Sequence, residues 1–393
     1  MAAPSALSAW LLLLPLSAAA LAAAGLQRWQ RPVAEPGGQS TESRQLGLDG
    51  LRGLLALSVV LHHATIWYFY LRTGRWEVPP SRLHTQLGQV GVLMFFMITA
   101  MLFHLRLLQS PQPTGPDWIR LYKSRILRLV PLYLLTMVAM LALIGWRSDW
   151  TARVPLPELL RSTAAWLLFT LPGIPNINGL PQTFVLTAGV TWSLPYEWLW
   201  YALLPLIALV IGRRPSRPWL LFGLLALSST ALWHPRGQPL LGFLGGIAAA
   251  WVMHRFGPDS PWARLSRGPW GSWLTLVCLT VSLTGFESAY QGGALLFVTL
   301  AFSLICSGST LFGLLTHPVS RWLGDRAYGL YLLHGLLLSI LFVDGLGQPR
   351  AADLSPLAHW GWIAALMSVL IFIADLGHRL VERPAMRLMR SPR

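Results

Sequence analysis

Charge is scarce in this 393-residue chain: Asp, Glu, Lys and Arg together make up 11% of it, and Lys123 is the only lysine. With 54% of its residues hydrophobic, the chain has too little polar surface for a soluble protein of ordinary composition, and no soluble domain is expected at either end. Cysteine is scarcer still. Cys278 and Cys306 both fall in apolar runs and show no C-x-x-C or Cys/His spacing, so neither a disulfide framework nor a zinc site is expected, and no metal is assigned. No internal repeat or low-complexity tract is visible. The net charge of +15 is almost wholly arginine. Basic residues on membrane proteins mark orientation before they mark a partner, so nucleic-acid binding is disfavoured.

What fills the chain instead is a succession of apolar runs of about 15 to 20 residues, the signature of membrane-spanning helices. The expected fold is an all-α, polytopic transmembrane helical bundle with spans near 5–25, 50–70, 88–105, 129–145, 193–211, 218–233, 240–253, 271–286, 294–312, 327–343 and 359–378. If the 50–70 span starts in the cytoplasm, 22 of the 30 Lys and Arg lie on cytoplasmic segments, as the positive-inside rule prefers. That orientation also places the C-terminus in the cytoplasm. Leu159–Leu171 is apolar but too short to cross and is followed by Pro172, Pro175 and Pro181, so 146–192 is expected to form a re-entrant or interfacial helix with a loop on the non-cytoplasmic side. Residues 1–26 resemble a signal peptide in their Ala-rich end, but no cation precedes Trp10 and Arg28 and Arg31 follow; an uncleaved extra helix is the preferred reading. A flexible cytoplasmic linker, 27–47, then leads to a membrane domain over 48–393.

Within the second span, Leu48-Asp49-Gly50-Leu51-Arg52 opens an apolar run that reaches His62-His63. Eleven helical positions amount to about three turns plus 20°, so Arg52 and His63 share a face roughly 16 Å apart, while His62 points elsewhere. An imidazole at mid-depth on the face of an arginine is expensive in a membrane and marks a functional site; a helix-packing role is the competing reading. Four cations precede the fourth span, in a loop from Arg120 to Pro131. Arg125 and Arg128 lie three apart on one face, suited either to topology or to gripping phosphate oxygens.

Glu197 follows Trp192-Ser193-Leu194-Pro195-Tyr196, with Ser193 a candidate cap, and lies about one turn inside its span with no cation nearby in sequence. Asp375, the other acidic residue placed inside a span, has Arg379 as its i,i+4 partner. In Phe95-Phe96-Met97-Ile98-Thr99-Ala100, packing explains the small residues as well as a site does. Tyr328-Gly-Leu-Tyr331-Leu-Leu-His334 puts another histidine two turns into a span, and Glu382-Arg383 reads as a salt-bridged helix end.

In this order, these motifs resemble those of the acyltransferase-3 family of integral membrane O-acyltransferases over about residues 48–390. Arg52 and His63 match its Arg-x10-His motif, Phe95–Ala100 its Phe-Phe-x-x-Ser-Gly motif, and Arg125 and Arg128 its Arg-x-x-Arg motif. Trp192–Glu197 matches Trp-Ser-Leu-x-x-Glu, and Tyr331 and His334 fall in a Tyr-x-x-Tyr-Leu-x-His pattern before a Glu-Arg-Pro ending. The chain departs from the family at Thr99-Ala100, where Ser-Gly is usual, and in its extra N-terminal helix beyond the ten family-type spans. Some members add a C-terminal hydrolase-like domain; with its last residue at Arg393, this sequence is expected to be the stand-alone type.

The resemblance implies transfer of an acyl group, most often acetyl, from cytosolic acyl-CoA to a hydroxyl of a carbohydrate such as a lipid-linked glycan or exopolysaccharide, in a prokaryotic inner membrane. Acyl-CoA is then a co-substrate, with no permanently bound cofactor. His63, Glu197 and Arg52 are the expected catalytic residues, Arg125, Arg128 and Arg52 the expected CoA ligands, and Thr99, Trp192, Ser193, Tyr331 and His334 candidates for the substrate site. Buried His, Glu and Arg also describe a proton-coupled transporter or exporter, and the same acyl chemistry suits a small-molecule acceptor such as a macrolide.

Overall fold

Residues 6–30, 42–233 and 235–389 are described by the structure, a computed structural model. Most of the expected linker, 31–41, lies outside them. The main helices are α1 Leu13–Trp29, α2 Glu42–Thr73, α3 Arg82–Leu108, α4 Trp118–Arg147, α5 Leu156–Leu167, α6 Leu194–Val210 and α7 Arg217–Trp233. They continue as α8 Gly237–Phe256, α9 Pro269–Gly285, α10 Gly292–Cys306, α11 Pro318–Asp325, α12 Ala327–Ser339 and α13 Pro356–Gly377. Among the described residues no strand forms; the one extended pairing is an isolated bridge between Ile177 and Leu180.

A helix falls on each of the eleven expected spans. Eight of them, extended by their flanking turns, are long and apolar enough to cross a membrane. The remaining three, α7, α9 and α10, have 17, 17 and 15 residues, a rise of about 23 to 26 Å, a little less than a typical hydrocarbon core. The fourth span differs from expectation at its start. The basic segment from Arg120 is no loop: helix α4 begins at Trp118, capped by Asp117, and runs through Pro131 to Arg147. A proline inside such a helix forfeits one backbone bond but is tolerated in membrane helices.

Two compact units partition the chain. The first holds residues up to Leu102, Gln238–Tyr331 and Ile340–Asp375; the second holds Phe103–Gly237, Leu332–Ser339 and the residues from Leu376 onward. In the first unit α2 crosses α11 at backbone contact. A Cβ on Gly324 would lie 1.8 Å from the Asp49 carbonyl oxygen, so only glycine lets the Asp49–Arg52 turn sit there. Helix α1 also lies in this unit and is tied at both ends. Trp360 Nε1 donates to the Ala6 carbonyl, and Gln30 Nε2 donates to Asp375 at 2.7 Å.

Asp375 is fully buried, and Arg326 Nε donates to it at 2.9 Å while the Arg326 guanidinium covers the Trp322 ring. Gln30 Oε1 accepts from both Arg326 and Trp322. Asp375 is therefore held by partners from the ends of α11 and α1, which its local sequence does not announce.

In the second unit the 12-residue α5 is too short to cross. Ser162, Ala165 and Trp166 face inward while Leu156, Leu160 and Leu168 are exposed, as an interfacial helix requires. The loop after it is tightly knit. Tyr133 donates to the Trp166 carbonyl at 2.5 Å and stacks on Phe169; Trp166 Nε1 donates to Pro175; Asn178 bonds Ser148, Thr151 and the Arg153 amide.

Candidate active site

One uninterrupted helix, α2, carries the Arg-x10-His pair in the first unit. Arg52 Nη1 donates to Asp49 at 2.9 Å, and both side chains are part-exposed. Such a half-open ion pair contributes little stability but fixes where the guanidinium points.

His63 Nδ1 lies 3.0 Å from the Val59 carbonyl oxygen. A carbonyl only accepts, so Nδ1 carries the hydrogen, and a neutral ring then has its lone pair on Nε2. The backbone of α2 thus sets the tautomer a general base needs. The indole of Trp76, from the loop after α2, stacks on this imidazole with ring centroids 6.4 Å apart and planes inclined by 17°. His62 does point elsewhere: it is buried against Gly88 and bonds the His84 carbonyl at 2.7 Å.

The second motif lies on α3 in the same unit, and Phe95 meets Tyr331 edge to face at 6.1 Å. The departure at Ala100 has a packing answer. A Cβ on Gly246 of α8 would sit 2.7 Å from the Ala100 Cβ, so the facing helix supplies the missing small residue. Thr99 beside it is half-buried.

The second unit gathers another set. Glu197 is half-buried and accepts a short hydrogen bond from the Tyr201 hydroxyl one turn along α6. Tyr201 is itself tied to α4, since Tyr122 donates to its carbonyl at 3.0 Å. The Tyr201 ring meets Phe103 edge-on, and the Arg125 guanidinium lies over the Phe103 face at 5.2 Å. Among the described residues no carboxylate lies within salt-bridge distance of Arg125 or Arg128. Two guanidiniums with no carboxylate partner among the described residues can take an anionic ligand.

Trp192 meets Tyr196 edge to face, but Ser193 does not cap α6; its hydroxyl donates back to the Val190 carbonyl. His334 is fully buried, and Gly335 after it presses on the Thr187–Ala188 backbone, where a Cβ would meet Thr187 at 2.2 Å. Glu382 is buried with His378 Nδ1 at 4.0 Å, whereas Arg383 is exposed.

The structure therefore brings Arg52, His63, Thr99 and Tyr331 into one unit and Arg125, Arg128, Trp192, Ser193, Glu197 and His334 into the other. Three participants escaped sequence reasoning. Tyr201 was within reach of the i,i+4 rule applied to Glu197. Asp49 stood in the quoted motif without a role. Trp76 gives no signal, because a loop tryptophan beside a span reads as a membrane-interface anchor.

Comparison with known proteins yields a family model described as an acyltransferase domain, matching residues 45–376. The peptidoglycan O-acetyltransferase OatA of Listeria monocytogenes is 24% identical over 387 residues, covering 86% of this chain and 55% of its own. The Bacillus subtilis protein YrhL, provisionally named a peptidoglycan O-acetyltransferase, is 24% identical over 372 residues, covering 86% of this chain and 54% of its own. The chain thus spans about half the length of the curated relatives it matches. No solved structure matches it.

Proposed function

Because the chain belongs to the acyltransferase-3 family, we propose that it is a membrane O-acyltransferase moving an acetyl group from cytosolic acetyl-CoA to a carbohydrate hydroxyl. The observation that carries this reading is His63: an imidazole at mid-helix whose Nδ1 is committed to the Val59 carbonyl, leaving Nε2 as the basic nitrogen. Nε2 takes the proton of the acceptor hydroxyl as its oxygen forms the C–O bond to the thioester carbonyl. The C–S bond then breaks, and the proton passes to the departing sulfur, releasing CoA as the thiol. Arg52, aimed by Asp49, and the pair Arg125 and Arg128 are the guanidinium donors for the phosphates of CoA. Glu197, held by Tyr201, positions the acceptor.

The names of the relatives support a cell-wall glycan as the acceptor class. Charge asymmetry supports an inner membrane with Arg52 and the C-terminus on the cytoplasmic side.

The test is CoA release from acetyl-CoA by purified protein in nanodiscs, comparing wild type with His63→Ala and Arg52→Ala. Release by wild type and its loss in folded His63→Ala supports the transferase. Binding of acetyl-CoA with no release under any acceptor would overturn it.

A further inference from the structure

Helix α11 has eight residues, too few to hold a helix by local bonds alone, so its place in the first unit is set by what grips it. One grip is backbone contact with the first turns of α2. A Cβ on Gly53 would lie 2.8 Å from the Ser320 carbonyl oxygen and from the Gly324 nitrogen, and one on Gly50 would lie 1.8 Å from the Leu315 carbonyl oxygen, just ahead of α11. Gly324 presses in turn on the Asp49 carbonyl. Gly50 and Gly53 share a face of α2, and Asp49 and Arg52 each precede one of them, about 100° around the helix, so the ion pair rides beside this seam. Close-packed backbones pass a displacement on instead of absorbing it. A shift of α11 therefore shifts the Asp49–Arg52 turn.

The second grip is polar. Arg326, which follows α11, donates from Nη1 to the Trp322 carbonyl at 2.9 Å and lays its guanidinium 3.6 Å from the centroid of the Trp322 ring. Its Nε donates to Asp375 of α13 at 2.9 Å. Gln30, the residue after α1, joins every member of this group. Its Oε1 accepts from Arg326 Nη2 at 3.3 Å and from Trp322 Nε1 at 3.4 Å, and its Nε2 donates to Asp375 at 2.7 Å. An amide can do both because it carries an acceptor and a donor on one short stem. All of these residues belong to the first unit.

We propose that Gln30 is a positioning residue for the Arg52–Asp49 pair, acting through Arg326, Trp322 and α11. The N-terminal helix α1 is thereby a brace for the turn that receives the anionic end of the acyl donor. Arg326 and Asp375 already neutralise each other, so the amide adds no charge balance; it adds direction, fixing the last turn of α11 and with it the register in which Gly324 meets the Asp49 carbonyl. The brace rests on the acyltransferase reading for the identity of the donor, acetyl-CoA, but the hold of α1 on α2 is measured without turnover.

The experiment is hydrogen exchange of the full chain in nanodiscs, read by peptide mass spectrometry, beside steady-state CoA release from acetyl-CoA. In Gln30→Ala the amides of 319–326 and 47–54 exchange at least about fivefold faster with no matching rise in α8, as loss of hydrogen bonds confined to this group requires. The KM for acetyl-CoA rises about three- to tenfold while kcat stays within about twofold, because the guanidinium is retained but displaced. Gln30→Glu, whose protonated carboxyl offers the same acceptor and donor, returns both readouts toward wild type. Trp360→Phe removes the indole N–H that bonds the Ala6 carbonyl at the other end of α1 and leaves both unchanged.

A folded Gln30→Ala whose 47–54 amides exchange at the wild-type rate overturns the brace. An equal change in Trp360→Phe, or a fall in kcat at constant KM, overturns it as well. If wild type releases no CoA yet Gln30→Ala loosens 47–54 selectively, the transferase reading fails and the hold of Gln30 on the Arg52–Asp49 turn stands.

Discussion

The Tyr201 hydroxyl donates to the Glu197 carboxylate one helical turn before it, and the same tyrosine accepts at its carbonyl from Tyr122. A carboxylate in an apolar helix is thereby steadied by a residue whose backbone is bolted to α4, the helix that carries Arg125 and Arg128. Removing the hydroxyl alone should expose the function of that arrangement. Tyr201→Phe keeps the ring against Phe103, so the protein should fold normally. Losing a hydrogen bond to a charged group is worth about 1.5 to 3 kcal/mol, so kcat should fall roughly ten- to hundredfold. Steady-state CoA release beside a thermal unfolding scan checks both parts; a stability loss with kcat unchanged would make Tyr201 purely structural.

Asp49 aims Arg52 without being a plausible ligand for an anion itself. Asp49→Ala should therefore raise KM for acetyl-CoA about three- to tenfold while lowering kcat less, because the guanidinium is retained but no longer oriented. Asp49→Glu should recover part of the loss. Equal falls in kcat and kcat/KM would instead place the pair in the chemical step.

The Arg326–Asp375 pair is buried, so breaking it from one side strands a charge. Asp375→Asn and Arg326→Leu should each destabilise by about 3 to 5 kcal/mol, and Arg326→Met combined with Asp375→Leu should regain much of that cost. Gln30→Ala should cost about 1 to 3 kcal/mol by removing the amide's bonds to both ions. Unfolding of the detergent-solubilised variants, followed by near-UV circular dichroism, tests the ranking.

Most of the helix positions were legible in the sequence because the bilayer imposes a length and a polarity on every span, and these show in composition alone. The Arg-x10-His face was legible because one helix carries both residues. What failed were inferences that put a local rule where a tertiary contact decides. Asp375 shows only a local cation in sequence, and nothing there announces its bond to Arg326, 49 positions earlier. Ser193 stands at a helix start with a capping side chain, yet its hydroxyl returns to Val190 because the 3-10 turn before α6 leaves it in helical geometry. The basic segment from Arg120 reads as a loop, yet it is the first part of α4, which Asp117 caps just ahead of it. Trp76 was invisible for the reverse reason: its partner is His63, but the loop that returns it there has no periodicity to betray the contact.

The hydrogen bonds of Gln30 have a consequence for how the protein is made. Gln30 and Asp375 are 345 positions apart, so the end of α1 cannot close this contact until α13 has been synthesised. Until then Arg326 and Gln30 have each other but lack the buried carboxylate that both bond. A chain cut short before residue 375 lacks that carboxylate permanently. The packing of α1 in this way waits on the synthesis of α13.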